Sequence, residues 1–143
     1  MDYYQNGLNI YKETGNKDGM ASSYNNIGIM YADQGNYEQA LKYYQKGLKI
    51  REEIGNKQEM ASSYNNIGLI YSDQGNYKQA LEYYDKSLKL YEEIGDKQGM
   101  ALSYCNIGDI FRKKHKYIKA LELGKRALAI AQELGTVYET NLA

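Results

Sequence analysis

The sequence predicts an all-α solenoid of about seven helices stacked as antiparallel pairs, and three observations predict it. First, residues 20–59 recur as 60–99 with 29 of 40 positions identical, and 100–139 matches the second copy at 15 of 40. Second, each period is broken twice, once by a glycine followed by a polar starter and once by a glycine turn. Third, apolar residues between the breaks fall on one side of a helical wheel, and the 143 residues contain no proline to stop or kink a helix. A unit of this length can bury its apolar face only against its neighbours. Repetition also argues against an enzyme, because a catalytic site needs unlike residues converging once.

In chain order the reading is one domain, 1–143. Residues 1–15 are the back half of a repeat (its second helix only), with Met1 in register with Leu41. Full repeats occupy 16–55, 56–95 and 96–135, and 136–143 begins a further first helix. Because the chain starts and stops partway through a unit, a piece of a larger protein is expected.

Within 16–55, Gly15 closes the preceding helix and Asn16 caps helix A, expected over 17–34. The same punctuation stands at Gly55-Asn56 and Gly95-Asp96, and less well at Gly135-Thr136. Gly35 suits a left-handed turn and Asn36 caps helix B, expected over 37–54. The third copy puts His115 in the turn-glycine position, which histidine tolerates at some cost.

On helix A, Tyr24, Ile27, Gly28 and Tyr31 share the core side, while Ser22, Asn26, Ile29 and Asp33 lie opposite. Gly28 recurs as Gly68 and Gly108 mid-helix, which implies a large helix B side chain pressed on bare backbone. Helix B buries Tyr37, Ala40, Leu41, Tyr44, Gly47, Leu48 and Ile54. It turns a charged face outward, with four-apart pairs such as Glu38–Lys42 and Lys49–Glu53.

The spacing Tyr24-x-x-Ile27-Gly28-x-x-Tyr31 followed by Ala40-x-x-x-Tyr44 resembles the tetratricopeptide repeat. It recurs as Tyr64, Ile67, Gly68, Tyr71, Ala80, Tyr84, and as Tyr104, Ile107, Gly108, Phe111, Ala120, with Gly124 in place of the last aromatic. The period of 40 and the missing proline depart from the usual pattern. They fit a longer helix B, similar to the subclass of kinesin light chains and bacterial signalling arrays. The resemblance implies a right-handed α-α superhelix whose helices A line a concave groove for a peptide segment, extended or helical, of a partner protein. It also implies a bacterial signalling or regulatory parent.

The matching groove stripe is Ser22, Asn26, Ile29, Asp33; Ser62, Asn66, Leu69, Asp73; and Leu102, Asn106, Asp109, Lys113. Asn26, Asn66 and Asn106 give one amide rung per repeat, able to pair with a peptide backbone; the plainer role is a bond to the neighbouring helix. Asn25, Asn65 and Cys105 fall toward the groove edge. Charge is graded: 0 over 20–59 (5 basic, 5 acidic), −2 over 60–99 (4 and 6), +3 over 100–139 (7 and 4). A peptide held there would point its basic end toward the N-terminal repeats. The cluster Arg112-Lys113-Lys114-His115-Lys116 sits at a turn and reads as solvated charge complementing a helix end.

Other chemistry finds no material. Lys+Arg and Asp+Glu are 18 each, so no net field favours nucleic acid or a membrane surface. His115 and Cys105 are single, which leaves no triad, no zinc set and no internal disulfide. No glycine loop suits a phosphate, and no cofactor or metal is expected. No apolar run spans a membrane and no leader pattern opens the chain, so a cytoplasmic setting is expected. A small-molecule sensor would need an enclosed pocket that repeated Ser and Asn do not suggest. The alternative to a peptide-binding module is a self-associating scaffold, a homo-oligomer stacking or swapping helices through uncapped ends.

Overall fold

The computed structural model describes the backbone of residues 1–141 and the side chains of residues 1–135. Seven helices follow one another: α1 (Asp2–Thr14), α2 (Lys17–Asp33), α3 (Tyr37–Ile54), α4 (Lys57–Asp73), α5 (Tyr77–Ile94), α6 (Lys97–Lys113) and α7 (Tyr117–Asn141). Hairpins α2/α3, α4/α5 and α6/α7 stack in order, and α1 is a lone second helix laid on α2. Among the described residues no helix is long and apolar enough to cross a membrane.

The caps explain these boundaries. Gly15, Gly55 and Gly95 end α1, α3 and α5 in the left-handed conformation, with φ of 67°, 78° and 69°. Asn16, Asn36, Asn56, Asn76 and Asp96 then each accept a bond from the backbone N–H three residues on. His115 adopts φ 58° at the turn where its counterparts are glycine, and its Nδ1 lies 2.8 Å from the Tyr117 hydroxyl. At the C-terminal end the structure departs from the sequence reading, because α7 runs through Gly135 without a turn. Thr136, a weaker cap, stands where Asn16, Asn56 and Asp96 start a helix. No separate first helix begins at 136, and residues 142–143 lie outside the described residues.

The first two hairpins each lock around a mid-helix glycine. A Cβ on Gly28 would sit 2.6 Å from the Tyr44 ring, and one on Gly68 2.7 Å from the Tyr84 ring. Both rings are buried beneath the next helix A: Tyr44 packs with Leu48, Ile67 and Ile70, and Tyr84 with Ile107, Ile110 and Leu123. Burial pushes the Tyr44 phenol up to about 12, with Asp33 adding to it, and Tyr84 is pushed up for the same first reason. On the other side of the hairpin Tyr31 stacks on Tyr43 and Tyr71 on Tyr83, ring centroids 5.5 Å apart in both. Lys46 and Lys86 cap these clusters at 5.0 Å and 4.9 Å.

Two expectations for helix B are corrected. Ile54 is 44% exposed, because the last turn of α3 lies where α2 and α4 have only begun. The inward place is taken one turn earlier by Arg51, only 4% exposed. Its Nη2 reaches Glu59 Oε2 at 2.7 Å and its Nη1 donates to Ser63 Oγ at 2.6 Å. Burial lowers its pKa and Glu59 works against that. In α3 the outer charges pair between hairpin ends rather than four apart along the helix, Lys17 with Glu53 at 3.1 Å, repeated by Lys57 with Glu93 at 3.0 Å and Lys97 with Glu133 at 2.6 Å; α7 adds pairs along itself, Glu122 with Arg126 at 3.1 Å and with Lys119 at 3.9 Å. The exposed pairs between hairpin ends contribute little to stability but repeat with the fold.

Candidate functional site

The three helices that carry the predicted stripe, α2, α4 and α6, are bridged by side chains. Asn66 Nδ2 donates to Asn25 Oδ1 at 3.0 Å, Asn106 Nδ2 to Asn65 Oδ1 at 2.7 Å, and Lys113 Nζ to Ser72 Oγ at 3.1 Å. Asn66 and Asn106 thus each direct their amide nitrogen to the neighbouring helix and keep an oxygen for other partners. Asn65 is buried rather than at an edge, because it is the acceptor in this ladder. Cys105 takes the acceptor position in the third repeat, and Asn26 holds the donor position in the first.

Between α2 and α4 lies a depression of about 290 Å³. It gathers five of the residues the sequence points to: Ile29 and Asp33 from α2, and Asn66, Leu69 and Asp73 from α4, with Ala32, Tyr44 and Ile70 as floor. Ile29 and Leu69 are both 40% exposed, apolar side chains presented beside two carboxylates. Ser22 and Asn26 fall apart from this group, in a hollow of about 470 Å³ shared with Tyr4, Gly7 and Tyr11 of α1. Ser62 is turned away, its hydroxyl donating to Gln58 O and lying 3.3 Å from the Tyr91 hydroxyl.

The third repeat is differently charged. Asp109 stands where Ile29 and Leu69 stand, and it binds Arg112 at 2.5 Å and Lys113 at 3.0 Å. Burial alone would raise its carboxyl, but the bonds and charges of these two cations hold it below its usual range. The basic charge of Arg112 and Lys113 is therefore partly neutralised by Asp109.

Sequence reasoning missed the buried polar positions. Ser63, Ser87 and Ser103 are buried, and Ser87 Oγ donates to Ala61 O at 2.8 Å. The signal was present in the register: Gly47, Ser87 and Ala127 are small in every copy because helix A backbone crosses there. Arg51 had a signal too, since Tyr11 with Gly19 and Tyr91 with Gly99 are replaced together by Arg51 with Glu59.

A tetratricopeptide-repeat family model matches residues 2–53 and 59–133. Among solved structures, BtubC from P. vanneervenii superposes with a TM-score of 0.83 at 22% identity, over 94% of this chain and 56% of that one. Aspartyl phosphate phosphatase F from Bacillus subtilis gives 0.88 at 27% identity, over 94% and 35%. A Rap protein complexed with competence and sporulation factor gives 0.84 at 24%, over 92% and 37%. The chain thus spans between about a third and just over half of these proteins. No curated protein sequence matches it.

Proposed function

The chain belongs to the tetratricopeptide-repeat family, and on that premise we propose that it is a protein-interaction module, not a catalyst, whose inner wall holds an extended segment of a partner protein. The observation that carries this reading is the depression between α2 and α4. There Ile29 and Leu69 offer apolar surface next to Asp33 and Asp73, and Asn66 keeps its Oδ1 to accept from a peptide N–H. The matching segment has an apolar side chain flanked by lysine or arginine. Its basic end lies toward α2, because Asp33 and Asp73 give way to Lys113 in the third repeat. The remaining positions, Ser22, Asn26, Asn106, Asp109 and Lys113, extend the contact beyond this centre, while Ser62 is left out of it by its bonds to Gln58 and Tyr91. The Rap protein complexed with competence and sporulation factor is a precedent for a bound partner in a like fold.

A peptide selected from a displayed library tests the reading. The double variant Ile29→Asp, Leu69→Asp should weaken its binding by at least about tenfold while shifting Tm by no more than about 2 °C. A control on the outer face, Lys49→Glu, should leave binding alone, and a peptide of reversed charge order should bind less well. Unchanged affinity in the double variant would refute the assignment.

One observation favours a second reading, self-association through the C-terminal end. Leu121 and Leu128 are 61% and 57% exposed, whereas Leu48, the counterpart of Leu128, is 9% exposed under α4. Light scattering over a concentration series tests it; a constant monomer mass would dismiss it.

A further inference from the structure

In the first two repeats the chain fills one place with its own tyrosine. The Tyr44 ring lies against the bare backbone of Gly28, and the Tyr84 ring against that of Gly68. The third repeat keeps the glycine, Gly108, but has Gly124 where the ring should originate. A Cβ on Gly108 would meet nothing nearer than 3.5 Å. What remains is a notch of about 270 Å³ between Tyr104, Cys105 and Gly108 of α6 and Ala120 and Gly124 of α7. Two glycines in helix interiors, each unfavourable there, face one another across a slot that takes a ring twice elsewhere in the same molecule.

From this we infer that the third repeat carries a socket for a tyrosine side chain of the partner. A ring is the expected occupant because a tyrosine fills the corresponding place against Gly28 and Gly68 in the first two repeats. The far end suits a phenol. Ser72 stands against the Tyr84 hydroxyl in the second repeat, and the same place in the third belongs to Arg112, which lines the notch and donates only. Asp109 belongs both to the notch and to the predicted groove, so a bound segment crossing the wall can seat a tyrosine here. The partner's identity as a peptide rests on the groove reading; the socket itself does not.

Cys105 is the chain's one cysteine, exposed, and on the wall of the notch, so its alkylation by iodoacetamide reports the occupancy of the socket. Millimolar p-cresol, a free tyrosine side chain, should slow that reaction about threefold. The variant Gly124→Tyr copies the first two repeats: it should slow the reaction by itself, abolish the p-cresol effect and raise Tm by about 3 °C. Gly124→Phe serves as a second filling variant should the first fold poorly. Absence of slowing in the parent chain would overturn the socket, as would equal slowing in the filled variants. Slowing that grows with protein concentration, without p-cresol, would overturn it in favour of a second copy on this face. A positive p-cresol result beside unchanged peptide binding in the Ile29/Leu69 variant would leave the socket standing and the groove reading refuted.

Discussion

Replacing Arg51 by tyrosine is expected to destabilise the chain by about 3 kcal/mol, and Glu59→Gly by about as much, while the two together return it to within about 1 kcal/mol of the parent. The reason lies in three versions of one interface. Tyr11 lies over Gly19 and Tyr91 over Gly99, each ring so close that a Cβ on the glycine would collide with it. Between them the same positions hold Arg51 and Glu59, joined at 2.7 Å. A tyrosine at 51 would strike the Glu59 side chain. A glycine at 59 would strip a nearly buried guanidinium of its carboxylate, leaving it Ser63 and a backbone oxygen. The double variant reproduces a pair already used on either side. Urea unfolding of all four proteins measures the coupling, and strictly additive losses would show that the positions do not act as a pair.

Tyr84→Ala should cost about 4 kcal/mol and lower Tm by about 10–20 °C. Tyr84 is 1% exposed and fills the junction where Gly68, Ile107 and Ile110 meet, so its removal leaves a void both inside its own hairpin and against the next repeat. Gly124→Ala, at the corresponding position of the third repeat, should by contrast be neutral or slightly stabilising, since nothing lies within 4 Å of its added methyl and helix propensity improves. Thermal unfolding followed by circular dichroism compares them; a loss under about 1.5 kcal/mol for Tyr84→Ala would mean that the repeats are not joined through this ring.

Most of the architecture was legible because it is written several times. Caps such as Gly55-Asn56 act locally and need no knowledge of the fold. Gly28 and Gly68 announced a large partner before Tyr44 and Tyr84 could be placed, whereas the same expectation fails at Gly108, which no large side chain covers. What escaped were properties of the junctions between repeats. Whether Arg51 is buried depends on Glu59 and Ser63 from the next hairpin, and a wheel drawn for α3 alone instead selected Ile54. The groove stripe was found as a face, but its internal bonding was not. That Asn66 would be half spent on Asn25, Ser62 turned toward Tyr91, and Asp109 occupied by Arg112 and Lys113 depends on distances between or along helices that no periodicity contains. The run of α7 through Gly135 shows the converse: with Thr136 in the capping place, a glycine by itself does not end a helix.

Residue-by-residue NMR of the chain titrated with a library-selected peptide tests most directly that the inner wall carries the function. Shifted amides should concentrate on Ile29, Asp33, Asn66, Leu69 and Asp73, with smaller changes reaching Asn106, and the outer face of α3 and α5 should stay still. Shifts centred on Glu38, Lys42, Lys49 or Lys78 instead, with Ile29 and Leu69 unmoved, would contradict the account.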